Sequence, residues 1–252
     1  MVFFLIPVYN EEKNIPGLFK DLSGVLPDEE KFFLFSDDGS SDGSKEAIAN
    51  YFSNLNYKII GGNLNKGPGK AFNDGFNWII KSSTSDKDIV VTLEADCTSD
   101  LSILPRMIAL NRFGYSLVLA SVYARGGAFE KTSFFRKTIS TLANLLFRLK
   151  YDVKVLTLSS FYRCYNLTLL KNIQKRYTNQ IIEESGFICM PEILLKAIQC
   201  GAKIIEVPVT LYSSKSLGNS KMKIIKTTFA YLRFLVTFKM HQSTKPNDQS
   251  FS

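Results

Sequence analysis

Three clusters of oxygen-bearing side chains stand where long apolar runs stop. Tyr9-Asn10-Glu11 follows the first run, Asp37-Asp38-Gly39-Ser40 the second, and Glu94-Ala95-Asp96 a later one. One such cluster alone reads as a turn or helix cap, because Asp, Asn and Ser side chains bond their own backbone. Three at equivalent places describe a site. Glu94 and Asp96 are one residue apart, a spacing that can aim two carboxylates at one hard cation. Oxygen-only ligation suits Mg²⁺ or Mn²⁺, ions that commonly bridge to substrate phosphates. Such a site can hold a diphosphate as a leaving group.

Composition narrows the chemistry. The 252 residues include one histidine, His241, near the C-terminus. Ser-His-Asp catalysis and histidine–metal chemistry are therefore excluded from the rest of the chain. Cys97, Cys164, Cys189 and Cys200 show no CxxC spacing. Reduced thiols in a cytosolic setting are expected, not a zinc site or a disulfide framework. Lys and Arg number 31 against 23 Asp and Glu, a formal charge of +8 that suits an anionic partner. No nucleic-acid-binding motif accompanies the charge, so phosphorylated substrates and anionic lipid are the expected partners. Gly67-Pro68-Gly69-Lys70-Ala71 is no P-loop, because Ala71 replaces the Ser or Thr and Leu64 the first Gly. It reads as a glycine loop entering a helix near the ligand.

The elements that must carry these residues alternate. Apolar runs at 2–6 and 32–35 read as buried strands, 58–60 as a short strand, and 89–93 and 117–120 as further strands. Apolar residues at helical spacing separate them, such as Phe72, Phe76 and Ile79. This βαβα order predicts an α/β domain with a mostly parallel sheet, and such sheets bind ligands at the carboxyl ends of their strands. Further on, residues 134–149 and 190–200 read as helices, and 204–207 as a strand. Residues 213–240 form a basic segment leading into an amphipathic helix over 222–240, and the polar residues 241–252 are expected to be disordered. That helix carries Phe229, Leu232 and Leu235 alongside Lys226 and Arg233. It suits either an anionic membrane surface or packing on the main domain. No apolar stretch reaches the ~18 to 20 residues of a spanning helix, so membrane contact would be peripheral or through a membrane partner.

In order along the chain, these motifs resemble glycosyltransferase family 2 with its GT-A fold, nearest the dolichyl- or polyprenyl-phosphate mannose or glucose synthases. Pro7 to Glu11 is similar to the opening PxYNE, and Asp37 to Ser44 to DDGSxDGT. Residues 65–76 resemble the glycine loop, and Glu94-Ala95-Asp96 occupies the DxD position. Arg136 and Ser140 match the following helix, Glu192 and Glu206-Val207-Pro208 later elements, and residues 215–221 the RxxGxSK segment. The resemblance implies that residues 1–212 are the catalytic domain. It implies that Pro7, Tyr9, Glu11, Ser36 and Asp38 hold the nucleoside. Ala95 and Asp96 would meet the ribose and diphosphate. Glu94, Asp96 and Thr98 would ligate Mg²⁺ or Mn²⁺, and Lys215 and Lys221 would bind phosphate. Arg136 and Arg163 would take the acceptor phosphate. This sequence departs from the pattern at Glu94 for Asp, at Thr98 for Gln, and at Lys215 for Arg, which loses the bidentate fork.

The implied reaction moves a hexose from a GDP- or UDP-sugar to a polyprenyl phosphate at the cytoplasmic membrane face, with inversion. An acceptor phosphate is already anionic and needs no strong base, in keeping with the lack of a core histidine. A glycan hydroxyl acceptor would instead require a carboxylate base, for which Glu183, Glu184 and Glu192 are the candidates. A third reading is a binding protein whose phosphate site has drifted.

Overall fold

The computed structural model describes residues 1–131, 134–178, 180–218 and 224–238, with backbone alone for 134–139 and 224–226. Its strands are β1 (Val2–Val8), β2 (Lys31–Asp38), β3 (Tyr57–Gly62), β4 (Ile89–Thr92), β5 (Leu117–Ser121), β6 (Ala128–Glu130), β7 (Arg163–Asn166), β8 (Ile204–Pro208) and β9 (Thr210–Tyr212). Its helices are α1 (Ile15–Ser23), α2 (Ser44–Tyr51), α3 (Pro68–Ser82), α4 (Leu104–Arg112), α5 (Phe134–Tyr151), α6 (Leu167–Arg176), α7 (Cys189–Gln199) and α8 (Ile224–Thr237).

Seven strands pair in the order β3-β2-β1-β4-β7-β5-β8. All the pairings are parallel except those of β7, which runs antiparallel between β4 and β5. β6 and β9 form a small separate parallel pair. The mostly parallel sheet is as the alternating pattern predicts. β7 is not among the expected strands: its sequence, Arg-Cys-Tyr-Asn, has no apolar run to announce it.

The period of two in a strand divides the core. Phe3 and Leu5 of β1 join Phe72, Phe76 and Ile79 of α3 on one face. Phe4, Ile6 and Val8 join Ile15, Leu18, Phe33 and Phe35 on the other. β1 is therefore covered on both sides, which explains its unbroken apolar sequence. Its central place also fixes the site. Val8 pairs with Asp37 of β2, and Leu5 pairs with Thr92 of β4. The chain segments leaving β1, β2 and β4 are thus neighbours at one edge.

α8 packs through one face. Phe234 is buried against Phe147 of α5, their rings stacked 6.0 Å apart, and Tyr151 donates its hydroxyl hydrogen to the Phe234 carbonyl at 3.3 Å. Phe229, Leu232 and Val236 remain exposed on the same helix. The expected packing on the main domain is therefore present along one face of the helix, and its other face is apolar and exposed. Residues 239–252, including the tail expected to be disordered, lie outside the described residues.

Candidate active site

The first two polar clusters are laced into one edge. Asn10, at φ +54°, donates its N–H to Ser40 Oγ at 3.0 Å, and its Oδ1 accepts from the Ser41 N–H at 2.8 Å. Glu11 donates its N–H to Ser44 Oγ at 2.8 Å. Asp37 accepts from the N–H groups of Gly39 and Ser40, both at 3.0 Å, with Lys45 Nζ at 3.4 Å. This is the Asx-turn chemistry that sequence reasoning assigns to a single cluster, used here to shape the rim.

Asp38 has a different task. One oxygen accepts from the Lys66 N–H at 2.7 Å and the other from the Gly67 N–H at 2.8 Å. Burial raises its pKa, while those two donors work against the rise. Asp38 thereby carries the glycine loop from the carboxyl end of β2. A groove of about 850 Å³ opens beside it between β3 and α3, lined by Ser36, Asn63, Leu64, Lys66 and Lys70 among others. The groove contains none of Glu94, Asp96 or Lys215, so it is separate from the third cluster. Pro7 and Tyr9 are half-buried at the edge, while Ser36 is fully buried next to Pro7 in the β1–β2 register.

The third cluster concentrates negative charge. Burial, then the charges of Asp96 and Glu11, push the Glu94 carboxyl up to about 8. Asp96 Oδ1 accepts from the Thr98 hydroxyl at 2.7 Å and from the Thr98 N–H at 3.1 Å. Thr98 therefore orients Asp96 in this structure, and its hydroxyl oxygen stays beside the carboxylate. Ala95 is buried between the two acids. The donor set fits a hard cation: two carboxylates, mutually repelled, with a third acid close enough to add to the repulsion. Among the described residues no group of three or more His, Cys, Asp or Glu makes a protein-only cage. A shell shared with substrate phosphates meets that condition.

A segment after β9 closes over this edge. Leu211 bridges to Ser99, and Tyr212 donates its N–H to the Thr98 carbonyl at 3.0 Å. Leu217 is then gripped by buried Asn14, whose Oδ1 accepts the Leu217 N–H at 2.8 Å and whose Nδ2 donates to the Leu217 carbonyl at 3.2 Å. The same Nδ2 donates to Glu11 Oε2 at 2.5 Å. Asn14 thus ties a residue 203 positions away to Glu11 of the first polar cluster. Lys215 sits on that segment with Nζ 5.1 Å from the Tyr212 ring centre; burial pushes the Cys97 thiol beside Asp96 up to about 12, and the Lys215 charge opposes that rise without overcoming it.

A family model, glycosyl transferase family 2, matches residues 3–174. The chain belongs to this family. It is 29% identical over 238 residues to a dolichol-phosphate mannosyltransferase of Pyrococcus furiosus, covering 93% of this chain and 62% of that protein. It is 27% identical over 222 residues to an undecaprenyl-phosphate mannosyltransferase of Micrococcus luteus, covering 88% of this chain and 87% of that protein. Among solved structures it matches glucosyl-3-phosphoglycerate synthase of Mycobacterium tuberculosis, with a TM-score of 0.67 at 15% identity. That match covers 94% of this chain and 79% of the other, and bears on the fold, which is the expected GT-A arrangement.

The structure departs from the expected acceptor residues at Arg163. This side chain is fully buried. Its guanidinium donates to the carbonyls of Ser160 at 2.7 Å, Leu158 at 2.6 Å and Met190 at 3.0 Å, and to the Tyr165 hydroxyl at 3.3 Å. It is a cross-link of the core and has no path to an acceptor. Arg136 lies in the first turn of α5, where only the backbone is described, and Lys221 lies outside the described residues. Asn14 is the residue of this edge that sequence reasoning missed. Its signal, an Asn before an amphipathic helix, matches any N-cap.

Proposed function

We propose that this glycosyltransferase moves a hexose from a GDP- or UDP-sugar to a polyprenyl phosphate at the cytoplasmic face of a membrane. The observation that carries the reading is the Glu11–Glu94–Asp96 acid cluster lying under a strap that bears Lys215. Glu94 and Asp96 would hold Mg²⁺ or Mn²⁺, which supplies positive charge to the departing nucleoside diphosphate. Thr98 keeps the Asp96 carboxylate in one orientation. Pro7, Tyr9, Glu11, Ser36 and Asp38 form the nucleoside end, and Lys215, with Lys221, adds charge for the phosphates. With donor and acceptor held together, in-line attack by a phosphate oxygen inverts the anomeric carbon and needs no base. The carboxylates that a hydroxyl acceptor would call on are engaged elsewhere. Glu183 and Glu192 pair with Lys196, and Glu184 with Arg233.

The membrane side of the reading rests on an exposed apolar surface. Leu142 and Leu149 of α5 and Phe229, Leu232 and Val236 of α8 face solvent, with Arg148, Lys150 and Arg233 on the same helices. Among the described residues no helix is long and apolar enough to cross a membrane. Such a surface suits the headgroup region of an anionic bilayer. The test is transfer of labelled hexose from GDP-mannose, UDP-glucose and related donors into an organic-extractable product, with Mn²⁺ and polyprenyl phosphate. Label should enter the organic phase with the wild type and not with Asp96→Ala. Label that stays in water-soluble glycan would refute the lipid acceptor.

A further inference from the structure

The loop 183–185 is built with unusual care for a surface connection. Glu192 of α7 is fully buried, and its Oε1 and Oε2 accept the N–H groups of Glu183 at 2.9 Å and Glu184 at 2.8 Å. Lys196, one turn on and equally buried, lies 2.7 Å from the same carboxylate. Its ammonium also donates to the carbonyls of Gln180 and Ile181, both at 3.3 Å, and sits 4.7 Å from the Tyr177 ring centre. Removing two charges from water is costly, and these groups offset the cost with every available partner.

What the loop touches gives it a purpose. The Ser185 carbonyl accepts the Gly69 N–H at 2.8 Å. A Cβ on Gly69 would lie 1.8 Å from the Glu184 carbonyl oxygen, and one on Gly67 would lie 2.3 Å from that of Ser185. Both glycines are therefore required by the approach of the 184–185 backbone, and Gly67 also adopts φ +91°. The N–H groups of Lys66 and Gly67 are the ones that hold Asp38. A continuous line of contact runs from the core of α7 to the acid at the end of β2.

We propose that Glu192 is a positioning residue for the donor pocket, setting Asp38 through the 183–185 loop and the Gly67–Gly69 turn. The proposal rests on Asp38 belonging to the nucleoside end of the site. Glu192 touches no substrate and acts by fixing the backbone that carries the Lys66 and Gly67 donors. A glutamine at 192 keeps one acceptor but turns an amide towards a backbone N–H and towards Lys196, so the loop loses its fixed place.

The test compares wild type with Glu192→Gln in two measurements. Amide hydrogen exchange, which needs no nucleotide, should show faster exchange at Lys66 and Gly67, with protection in β1 and β4 unchanged. Calorimetric titration with UDP and GDP in the presence of Mn²⁺ should show binding weaker by about tenfold, and this loss should fail to add to that of Asp38→Asn. In turnover, donor KM should rise while acceptor KM and kcat at saturating donor hold. If Glu192→Gln does not fold, Gly69→Ala forces the same two segments apart and should give the same exchange and binding changes. Unchanged Lys66 and Gly67 exchange in the folded variant would overturn the proposal while leaving the donor site standing. A nucleotide loss fully additive with Asp38→Asn would overturn it too. Failure of the wild type to bind either nucleotide would overturn the donor-site reading and the proposal with it.

Discussion

Asn14→Ala separates a clamp from a mere structural residue. The side chain makes three hydrogen bonds, two to the backbone of Leu217 and one to Glu11. At about 1 kcal/mol net for each bond, their loss amounts to about 3 kcal/mol. Two of the three hold the 213–218 strap, so about 2 kcal/mol should appear as local release of the strap, a shift of roughly thirtyfold in its opening equilibrium. Apparent affinity scales with the closed fraction of a site. The expected result is a dissociation constant for UDP or GDP with Mn²⁺ that is weaker by about tenfold or more. New proteolytic cleavage at Lys215 should accompany it. The melting temperature should fall by only a few degrees. Were the whole 3 kcal/mol lost globally, melting would drop by about 6 to 12 °C in a domain of this size. A full global drop with unchanged nucleotide affinity would refute the reasoning, because Lys215 would then contribute nothing to the phosphate site.

Three other outcomes are expected. In the metal-free protein Glu94 holds its proton up to about pH 8, whereas the unfolded chain releases it near the usual 4.5. Over that window the folded state binds more protons than the unfolded, so this group's contribution to stability falls as pH rises. Glu94→Gln should therefore raise the melting temperature at pH 8 and leave it unchanged at pH 4; a difference constant with pH would contradict the shift. Arg163→Met removes donors from three buried carbonyls, at about 1 to 3 kcal/mol each, and should abolish or severely weaken folding. A variant with wild-type melting and a selective loss of acceptor affinity would return Arg163 to the acceptor site. Replacing Phe229, Leu232 and Val236 by Ser should abolish co-sedimentation with anionic vesicles while nucleotide binding persists, and retained co-sedimentation would remove α8 from the membrane surface.

Much of the candidate site's edge is legible in the sequence because its polar clusters interrupt apolar runs. The Val2–Val8 run and the DDGS and Glu-Ala-Asp motifs announce both strands and contents, since a strand buried on both faces must be apolar until it reaches the ligand edge. β7 carries no such signal. Its arginine is made tolerable by carbonyls from residues 158, 160 and 190, partners that no local pattern reveals. For the same reason Arg163 reads as an acceptor residue in the sequence and proves to be a core cross-link in the fold. Thr98 shows the same on a smaller scale: the resemblance implies a ligand there, and the fold adds that its hydroxyl donates to the Asp96 carboxylate.

The sequence by itself determined the family, the parallel sheet and the acids at its edge, because these follow from periodicity and from motifs a few residues long. The tertiary structure alone decided which polar groups stand at the sheet edge and which are spent holding others in place. Asn14 and Leu217 meet across 203 positions, and Glu192 reaches Asp38 only through two loops distant in sequence. Burial and hydrogen-bond partners assign those roles, and both are properties of the folded chain that the identity of a residue does not carry.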